Sequence, residues 1–174
     1  SVEELKNNDI KQSQTYSVLN EAIETSLEEF ERDPEFSFPT QIRDYVPGID
    51  RQNLGVIFAR PEVGKTSFAA WLAGWYVKNK IKVAYWGNEE PVRKTRMRVA
   101  KSITEMSKLE VFTNKDKFID KYKELAVPYI SFMDCVGTSI QEVEDYCIRN
   151  EVDVVIIDQL DKIRIDGSLA EMNV

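Results

Sequence analysis

The residues best able to do chemistry lie in a loop that matches a phosphate-binding pattern. Residues 58–68 read FARPEVGKTSF, which fits G-x-x-x-x-G-K-[ST] except that Ala59 stands at the first glycine. In such a loop, backbone N–H groups surround phosphates, Lys65 adds a positive charge, and the Thr66 hydroxyl can bind Mg²⁺. Gly64 has no Cβ to keep the phosphates away. The pattern predicts phosphate contacts at Ala59, Arg60, Pro61, Glu62, Val63, Gly64, Lys65, Thr66 and Ser67.

Acidic residues at two predicted strand ends complete this chemistry. Asp158 closes the apolar run VVII, and a carboxylate in that place can hold Mg²⁺ through water. Without the loop, an Asp that only caps the strand end would be the preferred interpretation. Glu89 and Glu90 follow the run KVAYWG, and one of them can orient and deprotonate an attacking water. At least one of the two favours the dipole of the helix that begins at Pro91.

Alternating strands and helices must position these groups. Apolar runs predict four strands, over 54–59, 82–87, 129–134 and 153–158. Amphipathic patterns predict four helices, over 64–80, 91–106, 115–126 and 139–149. Strands without interior polar residues, separated by helices, indicate an α/β fold with a parallel sheet covered on both faces. In the helix after the loop, four apolar residues at helical spacing are expected to face the core: Phe68, Trp71, Leu72 and Trp75.

The N-terminal part is organised differently. A polar, acidic stretch contains apolar residues at helical spacing, which predicts one amphipathic helix ending before Pro34. These apolar residues are Tyr16, Leu19, Ile23, Leu27 and Phe30. The helix could pack on its own domain or on a neighbouring molecule, and the sequence favours neither. Residues 34–53 contain three prolines and Gly48, which predicts a connector with turns.

Composition narrows the classes of function. The 174 residues suffice for one domain, and a net charge of -7 argues against strong nucleic-acid binding by this stretch alone. Histidine is absent, which excludes His-ligated zinc and Ser-His or Cys-His catalysis. Cys135 and Cys147 have neither metal-site spacing nor a secretory disulfide framework. Since no apolar run is long enough to span a bilayer, we expect an intracellular protein without membrane contact.

Three motifs together resemble one family. The stretches ARPEVGKTSFAAWLA, VAYWGNEEP and VVIIDQLDKI are similar to the RecA-like motor domain of DnaB-type replicative helicases of bacteria and phages, including phage primase-helicases. In that family the loop often begins Ala-Arg-Pro, so Ala59 matches a family feature. The resemblance covers about residues 37–165. It implies a three-layer RecA-like P-loop NTPase fold with a mainly parallel sheet, preceded by the N-terminal amphipathic helix.

The resemblance also implies an activity and its residues. Family members use ATP and Mg²⁺, and they couple ATP hydrolysis to translocation along single-stranded DNA during replication. The family pattern places the catalytic glutamate on Glu89, with Glu90 as its neighbour. It assigns phosphate and metal binding to Lys65 and Thr66, and metal support to Asp158. Asp161 stands where the family usually carries a polar residue that senses the γ-phosphate, often Gln, so the role of Asp161 stays open.

The expected assembly is a homo-hexameric ring that acts in the cytoplasm of a bacterium or phage host, with primase, polymerase or loader proteins as partners. The linker helix would occupy residues 1–36 and dock on a neighbouring subunit, and a partial ATPase domain would occupy residues 37–174. Later strands, the DNA-contacting loops and an arginine finger are expected after Val174. Arg93, Lys94, Arg96 and Arg98 are expected on a solvated face or subunit contact rather than at DNA.

Two alternative functions remain open on the sequence. One is another RecA-like ATPase, of recombinase, clock-protein or plasmid-helicase type. The other is a non-catalytic, nucleotide-gated assembly or loader module that binds ATP without useful hydrolysis.

Overall fold

The computed structural model of the chain describes residues 23, 27, 28, 32–87 and 92–164. The chain divides into two compact units, one that ends at Asp50 and one that begins at Arg51. Within the part described, no helix has the length and apolar character needed to cross a membrane.

The first unit contains a short antiparallel hairpin. Strand β1 (Phe36–Ser37) pairs with β2 (Gly48–Ile49), and helix α1 (Thr40–Arg43) lies between them in sequence. Gly48 allows the close approach of the two strands, because a Cβ there would collide with the Phe36 carbonyl oxygen. The sequence predicts a connector with turns in this region, and the structure adds these short elements.

The predicted N-terminal helix falls mostly on residues outside the described part of the chain. Ile23, Leu27 and Glu28 are helical, and all three are exposed. Tyr16, Leu19 and Phe30 are not among the described residues. The amphipathic helix therefore stays a prediction.

A parallel three-stranded sheet forms the centre of the second unit. Its strand order is β4–β3–β5, with β3 (Val83–Gly87) in the middle, β4 (Ile130–Asp134) on one side and β5 (Val154–Ile157) on the other. Both pairings are parallel. All five residues of β3 are buried, as expected for a central strand covered on both faces. The parallel α/β arrangement predicted from the sequence is confirmed.

Helices cover both faces of this sheet. On one face lie α2 (Lys65–Lys78), α3 (Val92–Thr104) and α5 (Lys115–Ala126), which pack on one another. Of these, α2 contacts β3 and α3 contacts β4. On the other face lies α6 (Ile140–Asn150), over a buried cluster of Ala84, Trp86, Cys135, Val143 and Ile163. Two short helices complete this unit, α4 (Lys108–Thr113) and a 3₁₀ helix (Leu160–Lys162).

Two neighbouring residues of β3, Tyr85 and Trp86, face opposite sides of the sheet. Trp86 meets the Tyr146 ring of α6 edge-on, with ring centroids 5.5 Å apart. Tyr85 meets Phe132 of β4 at 5.9 Å, and the Arg96 guanidinium of α3 lies over that Phe132 ring. Since side chains alternate along a strand, Tyr85 belongs to the face of α2 and α3, and Trp86 to the face of α6.

The buried face of α2 differs from the predicted one. Of the four residues expected in the core, Leu72 is buried, while Phe68, Trp71 and Trp75 are half-buried. The fully buried positions are instead mainly small residues, such as Ala73, together with Tyr76. Small residues are favoured because α3 comes very close to α2: a Cβ on Gly74 would collide with the Ser102 side chain.

The predicted strand over 54–59 is wrong. Residues 53–60 form no strand, and Leu54 and Phe58 are 87% and 90% exposed. An apolar run becomes a strand only where a neighbouring edge can bind its N–H and C=O groups. Both edges of β3 are occupied by β4 and β5, and the outer edge of β5 pairs with no strand in the described part of the chain.

Candidate functional site

The predicted phosphate-binding loop leads directly into α2. Gly64 has a φ of 98°, in the left-handed region that favours glycine, and Lys65 is the first residue of the helix. Residues 59–64 are exposed, and the N-cap residue of α2, Gly64, has no side chain that could accept from the first turn. Because the N–H groups of a first turn have no helical acceptors, the loop and this helix end can bind an anion.

The side chains of the loop are arranged around its backbone. Lys65 Nζ donates to the Ala59 carbonyl oxygen at 3.3 Å, so the lysine folds back along the loop. Ala59 does not have a positive φ, whereas Glu62 does, at 63°. Thr66, the second residue of α2, is half-buried like Lys65. This arrangement presents a positive charge, a hydroxyl and backbone donors within a few residues of one another.

Asp158 lies at the carboxyl end of the sheet and is held by β3. Its backbone N–H donates to the Trp86 carbonyl oxygen at 2.9 Å. Its carboxylate Oδ2 accepts a hydrogen bond from Tyr85 Oη at 3.2 Å. Two consecutive residues of the central strand therefore fix the backbone and the side chain of Asp158.

Asp158 and the loop helix share one side of the sheet. Ile157 packs on the cluster beneath α6, so the alternation along the strand turns Asp158 to the opposite face. Its bond to Tyr85 agrees with this direction, and α2 covers β3 on that same face. Among the described residues, no hydrogen bond or ion pair joins Asp158 to Lys65 itself.

Tyr85 was not found by sequence reasoning. It is only 1% exposed, and burial together with the Asp158 carboxylate raises the pKa of Tyr85 far above its ordinary value. Its hydroxyl therefore stays protonated and donates to the carboxylate. The available signal was a phenol within an otherwise apolar strand, which usually finds a hydrogen-bond partner when it is buried.

Cys135 is buried, and its thiol is affected by the charge of Asp158 and of two further aspartates. Burial raises the pKa of its thiol, and the negative charges of Asp134, Asp158 and Asp161 raise it further. The thiol is therefore neutral at physiological pH, which agrees with an inert, buried residue.

A family comparison decides what kind of domain carries this loop and carboxylate. The family model for the DnaB-like helicase C-terminal domain matches residues 38–173. The chain belongs to this family. The resemblance drawn from the three motifs is thereby confirmed, and the domain is that of a replicative helicase ATPase. A search of curated proteins finds none that matches the chain.

The structure says less about the other residues predicted to act in this DnaB-like domain, Glu89, Glu90 and Asp161. Glu89 and Glu90 lie outside the described residues, in the connection between Gly87 at the end of β3 and Val92 at the start of α3. Asp161 is exposed in the 3₁₀ helix, where its carboxylate pairs with Lys162 at 3.3 Å. These contacts give no indication of a sensor role for Asp161.

The basic residues of α3 are mostly exposed, although the Arg96 guanidinium lies over the Phe132 ring. Arg93, Lys94 and Arg96 are exposed, and Arg98 is half-buried. Their exposure agrees with the expected solvated face or subunit contact.

The donor groups of the DnaB-like domain fit Mg²⁺. The Thr66 hydroxyl and the Asp158 carboxylate are hard oxygen donors, and both residues are half-buried. In the part of the chain that the structure describes, no cluster of three or more acidic, Cys or His side chains could hold a metal by itself. Mg²⁺ is usually bound through one or two protein oxygens, water and the phosphates of a substrate.

Proposed function

We propose that this chain is the Mg²⁺-dependent, ATP-hydrolysing motor domain of a ring helicase that translocates along single-stranded DNA during replication. The observation that carries the proposal is the position of Asp158, at the carboxyl end of β5 and on the sheet face of α2. The first turn of α2 bears Lys65 and Thr66. Membership of the DnaB-like family supports the same function.

In this proposal each residue has a defined role. Backbone N–H groups of the loop 59–67, in which Pro61 has none, and the Lys65 ammonium bind the phosphates, and the Thr66 hydroxyl and Asp158 carboxylate would hold the metal. Bound Mg²⁺ neutralises charge on the β and γ phosphates. Glu89 orients and deprotonates the attacking water. Catalysis then consists of positioning and charge stabilisation, since phosphoryl transfer needs little covalent help from the protein.

The proposal extends to fold and assembly. We assign the second unit to a three-layer RecA-like P-loop fold, supported by its parallel sheet with helices on both faces. Residues 1–36 would form the linker helix and residues 37–174 the ATPase part. Six copies would form a cytoplasmic ring in which an arginine finger reaches the nucleotide from a neighbouring subunit.

The deciding experiment measures ATP hydrolysis by the full-length protein with and without single-stranded DNA. Glu89→Gln should lower DNA-stimulated turnover about 100-fold or more, because general base catalysis typically contributes that much. ATP binding by this variant should stay unchanged. Lys65→Ala should instead weaken nucleotide binding itself.

Glu90→Gln is the matched control, because it makes the same chemical change one residue away. It should keep DNA-stimulated turnover. Wild-type turnover in Glu89→Gln would contradict the assignment of the base. A wild-type protein that binds ATP but shows no turnover would favour a nucleotide-gated assembly module instead.

A further inference from the structure

Tyr85 reaches Asp158 from a very rigid position. It lies in the middle of the central strand β3, is 1% exposed, and donates from Oη to Asp158 Oδ2 at 3.2 Å. The backbone next to it also holds Asp158, through the bond from the Asp158 N–H to the Trp86 carbonyl oxygen at 2.9 Å. Asp158 is thus tied to β3 at two points, once through its carboxylate and once through its backbone.

The surroundings of the Tyr85 ring leave it little freedom. The Phe132 ring lies 5.9 Å away, centroid to centroid. On another side is Gly87, where a Cβ would come within 3.0 Å of Tyr85 Cε1. A side chain at position 87 would press on the ring, so glycine there preserves the space that the ring occupies. A ring fixed in this way directs its hydroxyl to one place.

The hydrogen bond occupies one of the two carboxylate oxygens. Oδ2 accepts from Tyr85, which leaves Oδ1 as a further acceptor. Partners that hold a metal-binding carboxylate fix its orientation, and their loss typically weakens metal affinity or activity by about 10- to 100-fold.

We propose that Tyr85 is a positioning residue, whose hydroxyl holds the Asp158 carboxylate in the orientation that binds the magnesium of Mg·ATP. The proposal rests on the proposed function, because it needs Asp158 to support the metal. Tyr85 itself touches neither metal nor nucleotide in this role. Its effect should therefore appear in metal affinity before it appears in the chemical step.

The experiment measures binding of Mn²⁺, a paramagnetic substitute for Mg²⁺, to the full-length protein with a non-hydrolysable ATP analogue. Free Mn²⁺ is followed by electron paramagnetic resonance, so the result does not depend on turnover. Tyr85→Phe, which keeps the ring and removes the hydroxyl, should weaken nucleotide-dependent Mn²⁺ binding about tenfold. In ATPase assays the same variant should need more Mg²⁺ for half-maximal rate, and saturating Mg²⁺ should restore most of its turnover.

Tyr76→Phe is the matched control. Tyr76 of α2 is also buried, but its hydroxyl has no hydrogen-bond partner among the described residues. The same chemical change there should leave Mn²⁺ affinity at the wild-type value. A thermal unfolding midpoint for each variant verifies that the proteins compared are folded.

Asp158→Asn separates failure of this proposal from failure of the proposed function. If Asp158→Asn loses Mn²⁺ affinity and Tyr85→Phe adds no further loss to it, the two residues act as one unit, as proposed. If Asp158→Asn loses affinity but Tyr85→Phe alone binds like wild type, the positioning role is refuted and the proposed function stands. If Asp158→Asn also binds like wild type, the metal role of Asp158 fails and the positioning role fails with it.

Discussion

Two buried tyrosines of the second unit differ in what their hydroxyl groups contact. Tyr85 donates to Asp158, whereas Tyr76, which is fully buried in α2, finds no partner for its hydroxyl among the described residues. Burial raises the pKa of Tyr76 to about 12, so the hydroxyl is protonated at any working pH. A buried hydroxyl without a partner costs about 1–3 kcal/mol of desolvation.

Tyr76→Phe should therefore raise the free energy of unfolding, by about 1 kcal/mol, because it removes the unpaired hydroxyl and keeps the ring. Urea unfolding of wild type and variant, followed by circular dichroism, measures the difference. Tyr85→Phe is the counterpart and should lower the free energy of unfolding, since it breaks a hydrogen bond to a charged group. A less stable Tyr76→Phe protein would show that the hydroxyl has a favourable contact after all.

The residues of the site differ in how far the sequence predicts them. Lys65, Thr66 and Gly64 follow from a local pattern of fixed spacing, and the helix begins at Lys65 as the pattern requires. Asp158 could be predicted because it ends an apolar run. Tyr85 could not, because its partner is 73 residues away and is set by the register that pairs Trp86 with Ile157.

At the scale of the element, α6 has well-defined start signals. Ser139 precedes the helix, and its side chain accepts a hydrogen bond from the Glu142 N–H at 3.2 Å. The Glu142 carboxylate accepts in return from the Ser139 N–H at 2.7 Å. Hydrogen bonding of the carboxylate by Ser139 lowers the pKa of Glu142, with the bond from the Ser139 backbone N–H first in effect and the Ser139 side chain second.

A lowered carboxyl pKa makes this stabilisation depend on pH. It is present above the ordinary value of 4.5 and is lost as the pH falls through the lower pKa of the folded state. Glu142→Gln keeps an acceptor for the Ser139 N–H but cannot titrate. We therefore expect its stability to fall less than that of wild type as the pH falls below 4.5.

Urea unfolding at a series of pH values tests this expectation. Glu124→Gln, at an exposed glutamate of α5 outside any capping box, is the control for the loss of one carboxylate. The loss of unfolding free energy at acidic pH should be closer to that of wild type in the control than in Glu142→Gln. If the two variants lost the same unfolding free energy at acidic pH, the stabilisation would not depend on titration of the Glu142 carboxyl.

The elements show why some of the fold was predictable and some was not. The α5 helix occupies residues 115–126 as predicted, and α6 begins at Ile140, one residue after the predicted start, because both signals are local. The strand expected over 54–59 is absent, because a strand depends on a partner edge that its own residues do not specify. The α4 helix buries none of its six residues and is too short for periodicity to detect.

At the scale of the whole molecule, exposed apolar residues of the first unit could contact a neighbouring subunit. Ile23 and Leu27, both helical, are 59% and 56% exposed. They lie four residues apart, so they share one face of a helix. An apolar face of this kind is what a linker helix would present to a neighbouring subunit.

We expect that deletion of residues 1–33 from the full-length protein abolishes ring formation, because the subunits lose this contact. A finer test replaces only the apolar face, as Ile23→Ser with Leu27→Ser, and keeps the rest of the chain. Both proteins should elute as smaller species on a sizing column with Mg·ATP present, with masses measured by light scattering. Glu28→Gln, an exposed change on the same stretch, should leave the ring intact. Rings that survive the deletion would show that the ATPase parts assemble without the N-terminal segment.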